Sequence, residues 1–244
     1  MKVVGFMHVY AVNNYKEIVD RQVKLIEESE LIDVVDRIYY SVIGKSDYRI
    51  DRSKYELLFS SDNLKLSECV TINMLREVVM QERCKAFYVH TKGVTKPKSK
   101  SARDWRQYME YFTICHHYDC RRFLEVADAV GVNWHYGSGY LGAAAVAKPH
   151  FSGNFWWSKY DYLKTLPELN AETSVYKGIK RYAGIELPTR WDAEFWIGRG
   201  NPTVVELWNS GVHHGSQVYP SINYILKSIR PIIINGKETT RLYN

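Results

Sequence analysis

The sequence predicts an α/β domain whose mainly parallel sheet is flanked by helices. Three observations carry that prediction: a near-continuous apolar opening run, strand-length apolar segments alternating with segments of helical period, and strand ends marked by polar or glycine turns. Such alternation is the pattern of βαβ units, whose strands are covered on both faces.

Val3 to Val12 is the opening run, and it stops at Asn13-Asn14, so it reads as a buried first strand. From Tyr15 to Glu30 the apolar residues Ile18, Val19, Val23, Leu25 and Ile26 recur at helical spacing. Arg37 to Ile43 is a second strand closed by Gly44, and Tyr55 to Ser60 a third. Over Val70 to Gln81, Met74, Leu75, Val78 and Val79 share one helical side. Ala86 to His90 is the next strand, and Thr91-Lys92-Gly93 turns out of it. Val94 to Ser101 holds Pro97 and three lysines without apolar period, which makes it a loop. Ser101 or Asp104 then caps a helix that runs to about Val126. Ala129 to Trp134 reads as a strand, Gly137 to Gly142 as a turn or loop, and Phe155 to Trp157 as a short strand. Tyr160 to Leu166 is helical up to Pro167, Trp191 to Ile197 is helical again, and Pro202 to Trp208 is a late strand. With no repeat and no linker, residues 1–244 read as one domain.

The chain has 244 residues, 45% apolar and 25% charged, which supports a proper core and excludes a disordered or fibrous class. Lys and Arg number 33 against 27 Asp and Glu, a net charge of +6. Between Lys92 and Arg106 stand six bases and one acid, Asp104, so this stretch is the basic pole. Cys69, Cys84, Cys115 and Cys120 form no CxxC pair, which argues against a zinc framework or disulfide scaffold and for the reducing cytoplasm. Cys115, His116, His117 and Cys120 do not converge on one helix face. No apolar run approaches the ~20 residues of a membrane span. The opening run has one base, an internal His8 and no convincing cleavage site, unlike a signal peptide.

Three stretches carry chemistry. Tyr88-Val-His90-Thr91-Lys92-Gly93-Val94 ends a central strand, where exposed backbone N–H groups, a mobile ammonium and a glycine suit a diphosphate. It is neither a P-loop nor a GxGxxG turn. Pro149-His150-Phe-Ser152-Gly153-Asn154-Phe-Trp156-Trp157 mixes aromatic rings with His, Ser and Asn, which together suit the C–H faces and hydroxyls of a sugar. About half of these aromatics are expected in the core. Arg190-Trp-Asp192-Ala-Glu194-Phe-Trp196 places two acids at a helix start, of which at most one can point at a substrate and act as general base.

On these residues the chain resembles GT-A-type polysaccharide glycosyltransferases of bacteria and large DNA viruses, including relatives of the rhamnan-synthesis proteins. The resemblance rests on His90-Thr-Lys-Gly93, Trp105-Arg106 and His150-Phe-Ser-Gly-Asn-Phe-Trp-Trp157, and spans roughly residues 1 to 200. It implies a GT-A (Rossmann-like) fold, a nucleotide-sugar donor with a UDP-sugar as first choice, and a hydroxyl on a glycan or lipid-linked acceptor. His8, Tyr10 and Asn13 would line the nucleoside, and His90, Thr91, Lys92, Gly93 and Arg106 the phosphates. His150, Ser152, Gly153, Asn154, Trp156 and Trp157 would lie by the sugar, with Asp192 or Glu194 as base of an inverting reaction. The Asp-x-Asp motif that holds Mn or Mg in that family is absent. Lys92 and the basic loop would therefore replace the ion, with no metal ligand assigned and no cofactor required. The competing reading is a non-catalytic module that holds nucleic acid or an anionic surface through residues 92–106. The preferred reading has no nucleic-acid partner. It allows a cytoplasmic enzyme in peripheral contact with the inner membrane face.

Overall fold

The computed structural model describes residues 1–45, 47–136, 149–170, 172–174, 190–236 and 238–241. The predicted Gly137 to Gly142 turn lies outside them. The described residues form a mixed α/β structure around one nine-stranded sheet.

The first half follows the predicted alternation. β1 (Lys2–Tyr10), α1 (Tyr15–Glu28), the single turn α2 (Leu31–Val34), β2 (Arg37–Ile43) and β3 (Tyr55–Ser61) come in order. They are followed by α3 (Cys69–Gln81) and β4 (Cys84–His90). β1 pairs in parallel with both β2 and β4, and β2 with β3. In the register of β1 and β4, Val4 faces Ala86, Phe6 faces Tyr88 and His8 faces His90. Strand alternation sends these residues to one side of the sheet, where Ile72, Leu75 and Val79 of α3 close over them. Val3, Met7, Val9, Phe87 and Val89 go to the other side, against Val19, Val23 and Ile26 of α1. Gly5 is needed on β1 because an added Cβ would lie 2.4 Å from the Phe87 ring.

Past β4 the expectations are partly corrected. The helix expected to run to Val126 is three pieces: α4 (Lys100–Glu110), a π-turn over Tyr111–Cys115, and α5 (His117–Phe123). Ser99 caps α4 through the Ala102 N–H, in place of Ser101 or Asp104. The strand expected over Ala129 to Trp134 breaks at Asn133, whose φ of 52° turns the chain. That leaves β5 (Ala129–Gly131) in the main sheet, while β6 (Trp134–His135) pairs with β7 (His150–Phe151) in a small ribbon. β8 (Trp156–Lys159) runs antiparallel between β4 and β5.

α6 (Tyr160–Leu163), α7 (Arg190–Trp196) and β9 (Thr203–Glu206) follow, with β9 parallel to β5. β10 (Ile232–Asn235) and β11 (Glu238–Arg241) close the edge as an antiparallel hairpin. The full order is β11-β10-β9-β5-β8-β4-β1-β2-β3. The sheet is thus mixed, with its parallel run on the β3-to-β4 side. No helix among the described residues is long and apolar enough to cross a membrane.

Candidate functional site

The chain steps from β1 outward to β2 and β3, then returns across β1 to place β4 on its other side. The order reverses between β1 and β4, and beyond the carboxyl ends of such strands lies the usual ligand crevice of open α/β sheets. Here those ends are stitched together. Thr91 Oγ1 accepts the Tyr10 N–H at 2.9 Å, and the Asn13 amide donates to the Val94 carbonyl at 2.6 Å. From the α1 side, Gln22 donates to the His90 carbonyl at 3.0 Å and to Glu110 at 3.1 Å.

On the α3 side the centre is Glu68, which sequence reasoning passed over. It occupies the N-cap position of α3 without capping it through its side chain. Its carboxylate instead accepts from Asn154 Nδ2 at 2.8 Å and from the Tyr88 hydroxyl at 3.2 Å, and lies 3.6 Å from His90 Nδ1. Burial pushes its pKa up, but His90, His8, Lys92 and the Asn154 bond outweigh burial and hold it below the ordinary carboxylate range. His90 Nε2 donates to the Gly153 carbonyl at 2.9 Å, so a neutral ring keeps its lone pair on Nδ1, facing Glu68. A proton arriving there would be shared between ring and carboxylate. Burial lowers the His90 pKa against the pull of Glu68. His8, with Nδ1 2.8 Å from the Thr71 hydroxyl, is pushed by burial to about 4.

The Gly153 peptide joins this network to a second carboxylate. Its N–H donates to Glu194 Oε1 at 3.0 Å while its carbonyl accepts from His90. Gly153 has φ +96°, and an added Cβ would meet Met109 Sδ at 2.3 Å, so the position admits glycine alone. Asn154 follows at φ 62°, a conformation Asn tolerates. Burial raises the pKa of Glu194, but Lys92, His150 and the Gly153 bond bring it below the ordinary range. Lys92 Nζ lies 3.9 Å from the centroid of the Trp105 ring, and His214 stacks on that ring at 5.4 Å and 10°. Ser210 holds His214 Nε2 at 2.8 Å, leaving His214 Nδ1 and Trp105 Nε1 buried without a hydrogen-bond partner among the described residues. Unpaired buried groups of this kind cost about 1–3 kcal/mol each, which a bound ligand could recover.

Several sequence-predicted residues have other duties. Trp156 and Trp157 are fully buried core on opposite sheet faces, and so is Phe155. With Phe151, all four aromatics of this stretch are core, where about half were expected. Trp156 donates to Asn154 Oδ1 and stacks on Tyr88, while Trp157 donates to the Thr113 carbonyl. Arg106 is buried and turned inward, donating to the Lys92 carbonyl at 2.9 Å and pairing with Glu110 at 3.4 Å. It therefore buttresses the Lys92 turn instead of reaching a ligand. Gly93 serves its φ of +90°, which side chains rarely adopt, while a Cβ there would make only ordinary contacts with Ala102 and Arg106.

Thr91 spends its hydroxyl on Tyr10. Asp192 is fully buried, paired with Arg199 at 2.8 Å and accepting from Ser174 at 3.0 Å, which removes it as a base. His150 is buried against Phe195 at 4.7 Å. Ser152 is half-buried, and its N–H donates to the Asn133 carbonyl. Tyr10 is half-buried and Asn13 exposed at the β1 end.

What comes together is therefore His8, His90, Lys92, Asn154 and Glu194, joined by Glu68, Trp105 and His214. Glu68 could have been found as an acid directly before a helix that follows the third strand. His214 sits in an aperiodic His-His-Gly stretch that gives no such signal. The arrangement offers one half-buried cation, two carboxylates held ionised and unpaired buried polar atoms, all beside a sheet switch point. It can neutralise an anion and accept a proton within one site. A comparison with curated proteins gives no match. A family model matches residues 6–204, which include the strands of the switch point, Glu68, Lys92 and Glu194, and the chain belongs to that family, described as a domain of unknown function (DUF8361).

Proposed function

We propose that the chain is a GT-A-type glycosyltransferase, moving a sugar from a nucleotide-sugar to a hydroxyl of a glycan or lipid-linked acceptor. The observation that carries the reading is the Gly153 peptide, which joins Glu194 to His90 and Glu68 at the carboxyl end of β4, where Lys92 turns out of the strand next to the switch point. The nucleoside lies toward Tyr10 and Asn13, and the diphosphate toward Lys92, Trp105 Nε1 and His214. The acceptor oxygen attacks the anomeric carbon as its proton passes to Glu194. The bond from that carbon to the phosphate oxygen breaks, and the nucleoside diphosphate leaves with the electron pair.

Lys92 and Glu194 then act in sequence. Before donor binds, the ammonium holds Glu194 below its ordinary range and makes it a weak base. A diphosphate that engages Lys92 lets the Glu194 pKa rise, so base strength grows once donor is in place.

GT-A enzymes hold a divalent ion at this place with Asp-x-Asp. The nearest pattern here is divided, with Asp192 given to Arg199 and Glu194 bonded to the Gly153 N–H and lowered in pKa by Lys92. Carboxylates already set against fixed cations make a poor cage for a hard divalent ion, so metal-independent transfer is part of the proposal.

The test is a thermal-shift screen of UDP-, GDP- and dTDP-sugars with and without EDTA. One donor family is expected to raise Tm by mass action, equally in EDTA. No shift with any nucleotide-sugar would contradict the reading. A shift abolished by EDTA and restored by Mn would contradict its metal-free form.

A further inference from the structure

Outside this site lies a surface that neither the core nor the proposed reaction uses. Val218, Ile222, Ile225 and Leu226 fall within nine residues and are 47%, 69%, 45% and 85% exposed. Single exposed aliphatics are ordinary, but four on one short segment are not. The segment is held in place from beneath. Tyr224 is buried and packs its ring on Tyr108, Tyr111, Phe112 and Tyr219, at 5.1 to 5.9 Å. The Tyr111 hydroxyl donates to the Ile225 carbonyl at 3.0 Å. Anchored on α4 and the π-turn, the segment presents its aliphatic side chains outward.

The same helix carries the basic loop. Lys96 and Lys98 lead into α4 and Lys100 begins it; with Lys227 they are exposed and form no ion pair among the described residues. Residues 92–103 and 207–237 contain no Asp or Glu at all. The acids that act electrostatically on Tyr224 are Asp104 and Glu110, both buried, with Glu110 given to Arg21 and Arg106. The patch is thus apolar at its tip, with Lys227 directly after Leu226 and the basic loop leading into the helix that anchors it, and neither contributing stretch holds an acid.

We propose that this surface docks on an anionic lipid bilayer. The aliphatic side chains of Val218, Ile222, Ile225 and Leu226 enter the headgroup boundary, and Lys96, Lys98, Lys100 and Lys227 meet lipid phosphates. Aliphatic insertion combined with basic residues is the chemistry of interfacial binding, each part being marginal alone. A nucleic acid would use the cations but leave the aliphatic residues in water. The inference does not rest on the transferase reading, though a docked enzyme would face lipid-linked acceptors.

The experiment is co-sedimentation of the full chain with vesicles of neutral phosphatidylcholine and of phosphatidylcholine plus phosphatidylserine. The protein is expected to partition onto the anionic vesicles, and less so at raised salt. Reversing Lys96, Lys98 and Lys100 to Glu should lower partitioning about a hundredfold. The pair Ile222→Glu and Leu226→Glu should lower it by about tenfold or more while leaving Tm unchanged. Partitioning that ignores both sets of changes would overturn the proposal. So would absence from anionic vesicles together with tight oligo(dT) binding that survives Ile222→Glu and Leu226→Glu. The donor thermal shift, measured on the Ile222→Glu and Leu226→Glu variant, is expected to persist. Its loss in the wild type would count against the transferase alone.

Discussion

At the scale of single residues, Asp192 and Glu194 are the clearest separation the structure makes. They are two positions apart on a seven-residue helix and face opposite ways. Asp192 is locked to Arg199 in the interior, whereas Glu194 is half-buried and coupled to Lys92. Asp192→Asn should leave a buried guanidinium without its counter-charge and cost about 3–5 kcal/mol in urea unfolding. Glu194→Gln keeps an oxygen for the Gly153 N–H and should change stability by less than about 1 kcal/mol. Equal losses for the two variants would contradict these assignments. Sequence alone established that at most one of the pair could point at a substrate, because i and i+2 cannot share a helix face. It could not say which, since that depends on Arg199 folding back across the helix. Glu68 left only a weak signal for a similar reason. An acid before a helix has an ordinary explanation in the helix dipole, and only Asn154 and His90, far along the chain, reveal its use.

At the scale of elements, the parallel half was legible and the rest less so. β1, β2 and β4 are covered on both faces and read as apolar runs, with the half-buried β3 at the edge. Helices connect β1 to β2 and β3 to β4, whereas β2 passes to β3 through a loop. β8 was visible as a strand but not as an antiparallel insertion. Its direction is set by the Gly153-Asn154 turn, which inverts the chain through two residues of positive φ. The break of α4 at the π-turn has no marker in periodicity, because Tyr111, Phe112 and Ile114 continue an apolar face while the hydrogen bonding widens. The edge hairpin β10–β11 is one short isoleucine run with no helical partner, a weak signal for pairing with β9. The cost of these misreadings falls on the site. The Trp156-Trp157 pair suggested sugar stacking until β8 placed it in the middle of the sheet, where both rings are core.

At the scale of the molecule, three buried groups give stability a pH dependence that can be worked out by sign. Burial lowers His8 and His214 to about 4 from the ordinary 6.5, so between those values the unfolded chain binds protons the folded chain refuses. Their contribution is full above pH 6.5 and is lost as pH falls toward 4. Glu206 runs the other way. Burial raises it to about 7, so its folded form keeps a proton, and stability falls as pH rises from 4.5 to 7. Urea unfolding should therefore show a net rise from pH 4.5 to 6.5. Glu206→Gln retains an oxygen for the Trp134 N–H and the Asn209 amide, and should gain about 2–3 kcal/mol at pH 8 but little at pH 4.5. A variant less stable than wild type at pH 8 would contradict that account. The central claim concerns the site these folds and charges assemble. Its most direct measurement is nucleoside diphosphate release from the donor found by thermal shift, with acceptor and EDTA present, for wild type and Lys92→Ala. The account predicts a fall of about a hundredfold or more in kcat with Tm nearly unchanged. Unaltered release by Lys92→Ala, or release abolished by EDTA in the wild type, would contradict it.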